Sequence, residues 1–363
     1  MERLKVGVLG ATGMVGQNYI CLLDNHPWFE VAYVAASPRS AGKSYREAVQ
    51  GRWLMPQPIP SAVEALTVED ANKVDAAQGR CELLFSAVEV DKGTVGALEE
   101  AYAEAGFPVV SNNSAHRATP DVPMMIPEVN WRHSELIPVQ RKERGWQRGL
   151  IAVKPNCSIQ SYVAPLFALK EAGYPIASVV VTTLQAVSGA GFPGPASLQL
   201  IDNVIPFIGG EEEKSEQEPL RILGDCVEGR VRPESVLKIS AHCNRVPVID
   251  GHLACVSLTF ADRRPSLEEI LDIWRAFTSE PQRLKLPSAP VPPLVYLEEV
   301  DRPQPRLDRD RDRGMAVTLG RLRPCHVGHV RFVGLSHNTI RGAAGGAILM
   351  AELLKAQGYL GAT

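Results

Sequence analysis

Apolar residues fall along this chain in two rhythms. Leu4-Lys5-Val6-Gly7-Val8-Leu9-Gly10 is short, almost continuously apolar and bounded by glycine, which predicts a strand buried on both faces. Helical spacing follows at once from Met14 to Leu23, and Phe29 to Ala36 predicts a second strand. Cys81 to Ala87 reads as a further buried strand, Val95 to Ala105 as a helix and Pro108 to Ser111 as another strand. Strand and helix patterns alternating in this way predict a parallel sheet with helices on both faces.

Beyond Arg148 the pattern changes. Ala177 to Leu184 and Ala254 to Phe260 are longer and β-branched, without regular helical crossovers, which predicts an antiparallel or mixed sheet and an α+β second domain. Gly149 to Val153 predicts a strand that runs into a helix over Ser158 to Ala172. Arg302 to Gly314 alternates Arg with Asp and reads as a solvated polar excursion, the usual meaning of a charge run. Small residues from Gly342 to Ala347 open a last apolar helix over Ile348 to Leu354.

Size and charge narrow the function classes. At 363 residues, 45% of them apolar, the chain exceeds what one core usually supports, so two domains are expected and disorder is excluded. A formal charge of -3 gives no broad attraction for a nucleic-acid backbone or an anionic membrane, so neither is an expected partner. No run is long and apolar enough to span a bilayer, and the N-terminus enters a strand directly, so a soluble, unprocessed chain is expected. Seven scattered cysteines fit a reducing, cytoplasmic compartment. Each would ordinarily be a small buried hydrophobe, and only Cys157 has surroundings that suggest chemistry.

Gly10-Ala11-Thr12-Gly13-Met14-Val15-Gly16 joins the first strand to the first helix, where backbone N–H groups and the helix dipole favour a pyrophosphate. NAD sites usually end the second strand with an acid for the ribose hydroxyls. Here Ser37-Pro38-Arg39-Ser40-Ala41-Gly42-Lys43 offers hydroxyls and cations instead, which suits the 2′-phosphate of NADP.

Lys154-Pro155-Asn156-Cys157-Ser158 puts a cysteine at a strand-to-helix junction, where a helix N-terminus is expected to favour thiolate over thiol. Beside a nicotinamide such a thiolate adds to an aldehyde and keeps a thioester once hydride has left. A proton acceptor is then needed. His252, after the turn signal Asp250-Gly251, is the best placed of eight histidines and would bring Arg245 to the same sheet end, although a histidine after a turn is often simply exposed. Metal binding by His242, Cys243, His252 and Cys255, or by Cys325, His326 and His329, is disfavoured. Strand neighbours face opposite ways, and no paired Cys-x-x-Cys spacing is present.

Taken together, the motifs resemble those of the aspartate-β-semialdehyde dehydrogenases, in particular the archaeal and fungal branch. They comprise the glycine turn, Ser111 to Arg117, Pro155-Asn156-Cys157-Ser158, Gln185 to Gly191, Asn203 to Ile208, Glu211-Glu212-Glu213-Lys214, Arg245 to His252, and Asn338 to Gly345. The resemblance implies NADPH-dependent reduction of L-aspartyl 4-phosphate to L-aspartate 4-semialdehyde, with inorganic phosphate as co-product, on the way to lysine, threonine, methionine and isoleucine. It implies Cys157 as nucleophile, His252 as acid/base and Gln185 as the group orienting the intermediate. Arg245 would grip the α-carboxylate and Glu211 the α-ammonium, while Lys214, Arg117 and Asn112 would hold the phosphoryl group and Asn156 would also line the substrate. On its own the Glu211 run would read as an acidic helix face.

Ser188, Gly189 and Asn338 would approach the cofactor, with Ser86 on the nicotinamide side. The implied fold is a Rossmann-type NADP-binding domain over 1–155, completed by the C-terminal helix at about 338–363, and an α+β catalytic and dimerisation domain over 156–337. The implied assembly is a homodimer or dimer of dimers. Competing readings keep the scaffold. Malonyl- or succinyl-coenzyme A reductases would retain Cys157 and His252 with less use for Glu211, and N-acetyl-γ-glutamyl-phosphate reductase needs no ammonium partner. A non-catalytic paralogue would be marked by loss of the nucleophile or base, and both are present.

Overall fold

The computed structural model describes residues 3–361. Six parallel strands form the first sheet: β1 (Leu4–Leu9), β2 (Phe29–Ala36), β3 (Val68–Asp70), β4 (Leu83–Ser86), β5 (Pro108–Ser111) and β6 (Leu150–Val153). Their order is β3-β2-β1-β4-β5-β6, so the direction of winding reverses between β1 and β4, and the crevice above that reversal is where such sheets bind ligands. The side chains of β1 explain its depth: Val6, Val8 and Leu9 are fully buried, as a strand covered on both faces requires.

The chain continues with β7 (Ile176–Gln185), the small hairpin β8 (Asp225–Val227) and β9 (Arg230–Arg232), then β10 (Lys238–Arg245), β11 (His252–Phe260), β12 (Leu294–Leu297), β13 (Val317–Pro324) and β14 (Val330–Ser336). Except for the hairpin these make a second six-stranded sheet, ordered β10-β7-β11-β14-β13-β12. It is mixed: β10 runs parallel to β7 and β12 to β13, while β11 is antiparallel to both β7 and β14. The architecture is therefore a doubly wound parallel domain beside an α+β domain.

The last helix, Gly345–Ala356, returns to the first sheet. Ala347, Ile348, Ala351 and Leu354 share one core with Val6, Val8 and Phe85. Burying Ile348 or Leu354 contributes about 2 kcal/mol apiece. A buried ion pair fastens the same region, for Arg341 donates to both carboxylate oxygens of Glu128 at 2.5 and 3.0 Å. No helix among the described residues is long and apolar enough to cross a membrane.

Two expectations need correction. The helix over Ser158 to Ala172 is divided: a 3-10 turn, Ser158–Ser161, precedes an α-helix, Val163–Glu171, because Tyr162 leaves helical geometry at φ -137° and ψ -20°. The Arg302 to Gly314 segment is not a solvated excursion. Its Asp308 is 1% exposed and takes hydrogen bonds from Arg302, Arg311 and the Gln304 N–H, which fold the segment around a short helix, Pro305–Asp308.

Candidate active site

Two cavities open along the crevice above the first sheet. One, of about 420 Å³, has Gly10, Thr12, Gly13, Met14, Ser37 and Arg39 on its walls. Gly10 is required here by geometry. Its φ is +77°, and a Cβ would fall 2.3 Å from the Ala87 carbonyl, so only glycine lets the turn lie this close to β4. The helix that follows, Met14–Leu22, has no side-chain N-cap, which leaves its first N–H groups free to meet an anion. Bare backbone donors, a cavity of dinucleotide size and the Arg39 cation make a wall that fits a phosphorylated dinucleotide.

Ser40 and Ser86 are not on that wall. Ser40 is folded under the loop, its N–H bonded to the Ser37 carbonyl at 2.9 Å. Ser86 is fully buried because it ends β4 between β1 and β5, opposite Leu9 and Ser111, and its hydroxyl receives the Asn113 amide at 3.1 Å.

The second cavity, of about 280 Å³, has Val15, Asn112, Arg117, Asn156, Cys157, Ser188, Gly189, Glu211, Lys214 and Asn338 around it. These residues come from both domains. Met14 and Glu89 border both cavities, so the two adjoin. Glu211 is the hub: one carboxylate oxygen takes the Lys214 ammonium at 2.9 Å, the other the Asn156 amide at 3.0 Å and the Gln185 amide at 3.3 Å. These partners hold its carboxyl below the usual range against the opposing effect of burial. Arg117 donates to Glu218 at 2.9 Å and to the Asn112 carbonyl at 3.1 Å, while its buried Nε and the Asn112 Oδ1 have no partner. Asn338 donates to the Ser188 hydroxyl at 2.8 Å.

Three residues expected in the site lie behind this wall. Gln185, Arg245 and His252 are 1%, 6% and 0% exposed, and the Ser188-Gly189 turn crosses in front of the last two. A Cβ on Gly189 would fall 2.9 Å from Arg245 Nη1 and 3.1 Å from His252 Nε2. His252 does not end up exposed after its turn, because it begins β11 between β7 and β14. Its Nε2 lies 3.4 Å from Cys157 Sγ. On its other side the Ala186 N–H donates to Nδ1 at 3.0 Å, so the neutral ring carries its proton on Nε2, directed at the sulfur.

Two family models together match most of the chain: a semialdehyde dehydrogenase NAD-binding domain over residues 5–137 and a semialdehyde dehydrogenase dimerisation domain over 166–341. Aspartate-semialdehyde dehydrogenase of Schizosaccharomyces pombe is 42% identical over 361 residues, 98% of this chain and 99% of that one. Its counterpart from Methanothermobacter thermautotrophicus is 46% identical over 353 residues, 97% of this chain and 99% of its own. The chain belongs to the aspartate-semialdehyde dehydrogenases. The crystal structure of the Candida albicans aspartate-semialdehyde dehydrogenase with NADP superposes with a TM-score of 0.88 at 42% identity, covering 98% of this chain and 99% of that one.

In this aspartate-semialdehyde dehydrogenase the thiol is not poised as the helix-dipole argument expected. Burial and the Glu211 charge push Cys157 up to about 11, and Lys154, Arg117 and Arg245 only partly oppose them. A single 3-10 turn follows the cysteine, too short to supply a compensating dipole. Burial, with Arg245 and His337, pushes His252 down to about 3, so the imidazole is neutral at physiological pH. Iodoacetamide should therefore alkylate Cys157 at a rate that keeps climbing with pH beyond about 9, because only the thiolate reacts. A plateau below about pH 8 would mean a preformed thiolate.

Sequence reasoning missed two charged groups here. Lys154 is 2% exposed, donates only to the Pro155 carbonyl at 3.1 Å, and is pushed by burial down to about 7. Glu89, whose carboxyl is raised by burial, stands within 4 Å of the space beside Gly13 and Gly191. Lys154 had a signal, since it directly precedes Pro155-Asn156-Cys157. Glu89 had none beyond its place after β4.

Proposed function

We infer that this dehydrogenase catalyses the reversible reductive dephosphorylation of L-aspartyl 4-phosphate to L-aspartate 4-semialdehyde with NADPH, through a thioester on Cys157, in the biosynthesis of lysine, threonine, methionine and isoleucine. The observation that carries this reading is the approach of Cys157 Sγ to His252 Nε2, 3.4 Å apart beside a cavity that adjoins the dinucleotide cleft.

The site residues divide the substrate by charge. The α-carboxylate is assigned to the Arg245 fork, which already gives Nη1 to the Ala186 carbonyl at 2.7 Å and so is held in one orientation. The α-ammonium is assigned to Glu211, with Gln185 and Asn156 fixing the carboxylate from behind. Lys214, Arg117 and Asn112 are assigned to the phosphoryl group. The Cys157 sulfur adds to the acyl carbon, the carbon–oxygen bond to phosphate breaks, and the thiol proton leaves on the phosphate. A thiol rather than a thiolate in the resting enzyme suits that balance.

The nicotinamide of bound NADPH supplies the hydride that reduces the acyl carbon. As charge develops on the acyl oxygen, His252 Nε2–H is placed to donate a hydrogen bond to it, and then to the sulfur as the carbon–sulfur bond breaks; a proton taken up from solvent, replacing the one that left with phosphate, restores the Cys157 thiol. Because Nδ1 is occupied by the Ala186 N–H, the acid/base role of His252 narrows to its donor side.

The first test is NADPH production from L-aspartate semialdehyde, NADP and phosphate. Phosphate-dependent turnover of the amino-acid aldehyde is expected, whereas coenzyme A-dependent turnover of malonate or succinate semialdehyde would move the substrate to the acyl-coenzyme A reductases. A second test addresses the cofactor. Replacing Arg39 with Ala should weaken NADP binding about tenfold more than NAD binding, the usual worth of a charge-assisted bond to phosphate. Equal losses would take the 2′-phosphate away from Arg39.

The assembly proposed is a homodimer, or a dimer of such dimers. Leu198, Ile201, Val204 and Phe207 stand exposed at 87%, 64%, 51% and 69% along one short stretch of chain, apolar side chains of the kind that partners cover. All seven cysteines are free thiols, which supports the reducing cytoplasm as the proposed location.

A further inference from the structure

The Arg302 to Gly314 segment is built with more care than a surface loop needs. The buried Asp308 carboxylate collects Arg302 Nε at 2.7 Å, the Gln304 N–H at 2.7 Å and Arg311 Nε at 3.2 Å. Those bonds fix the residue that follows. Arg309 Nη1 donates to the Asp250 carbonyl at 3.0 Å, on the turn that leads directly into His252. Next in that turn is Gly251, at φ +100°, where a Cβ would meet Pro305 Cβ at 3.2 Å and Arg309 Cβ at 3.3 Å. The segment therefore rests on Gly251 as well as bonding to its neighbour.

The same turn is held from the opposite side. The Gly251 N–H donates to Asn338 Oδ1 at 2.8 Å, and the Asn338 amide donates to Ser188. Asp250 and Gly251 are thus gripped between the segment and Asn338, and the residue they deliver is the fully buried His252.

We propose that the Arg302 to Gly314 segment, acting through Arg309, is a positioning clamp that sets His252 Nε2 against Cys157 Sγ. Arg309 is a positioning residue, since it touches the turn and not the sulfur. The proposal rests on the donor role assigned to His252.

Steady-state kinetics of four variants test it. Arg309→Ala should lower kcat about tenfold or more, as small displacements of a reacting group do, with KM for L-aspartate semialdehyde within about twofold because Arg245 and Glu211 are untouched. Arg309→Lys should recover much of the loss by restoring a donor and an aliphatic stem over Gly251. Arg313→Ala is the control: it removes an arginine of the same segment that donates to the Pro287 carbonyl and bonds neither Asp308 nor the turn, and kcat should stay within about twofold of the parent. His252→Asn separates the two readings. If it abolishes turnover while Arg309→Ala leaves kcat unchanged, the clamp fails and the site stands; if it retains turnover, the role of His252 falls and the clamp with it. Equal losses of kcat and Tm in Arg309→Ala and Arg313→Ala would reduce the segment to general stabilisation and overturn the proposal.

Discussion

Cys157→Ser should lower turnover on the order of ten-thousandfold while leaving NADP affinity, read by calorimetric titration, within about twofold of the parent. The thiol is already pushed up to about 11 and needs the substrate to take its proton, and a hydroxyl is a far weaker acid. An oxygen ester also resists hydride more than a thioester, so both halves of the reaction suffer. Serine is smaller than cysteine and Sγ contacts only His252 among polar partners, so the fold has little reason to respond. Turnover above about one part in a hundred would remove Cys157 from the mechanism.

Arg341→Ala should destabilise the protein by about 3–5 kcal/mol, measured by urea denaturation of the intact chain. Arg341 is 2% exposed and Glu128 0%, and Arg341 alone serves both Glu128 oxygens. Losing the guanidinium leaves a carboxylate stranded in the interior without its partner. The pair joins the segment Pro127–Asn130 to the turn Ile340–Ala344, and Arg341 reaches the Met315 carbonyl at 3.3 Å as well. The double variant Arg341→Met, Glu128→Leu should recover most of the loss, because an apolar pair strands no charge. A loss below about 1 kcal/mol for Arg341→Ala would show that water reaches Glu128.

Where a feature depended on neighbours in sequence, it was legible before any coordinates. The glycine turn, β1, β2 and β5 are local patterns, and the Lys154-Pro155-Asn156-Cys157 junction marks itself by the strand before it. The two-domain architecture follows from the same change of rhythm after Arg148. The environment of each side chain was less legible, because it is set by residues far along the chain. His252 looks exposed from its turn and is buried by β7 and β14. Cys157 looks activated by a helix that Tyr162 interrupts, and the charges that decide its proton come from Glu211, Arg117 and Arg245. Ser86 and Ser40 carry suitable hydroxyls and face inward.

The Arg302 to Gly314 segment is the sharpest case. Its alternation of charge is what a solvated loop would show, and no local rule reveals that one carboxylate of the series, Asp308, sits in the interior with two arginines turned toward it. Exposed and buried charges have the same composition. They differ only in whether partners arrive, and here the partners are three to six residues away within the same run.

The helix Gly345–Ala356 is synthesised after every strand of both sheets, yet it packs into the core that contains the first strand of all. A ribosome that has delivered the entire dinucleotide-binding sheet has still to deliver part of its cover, and Val6, Val8 and Phe85 wait with an incomplete neighbourhood while some two hundred further residues emerge. The first domain to be translated is thus the last to close. A chain cut short before Gly345 would leave Val6, Val8 and Phe85 without part of their cover, an open apolar face beneath the cofactor cleft.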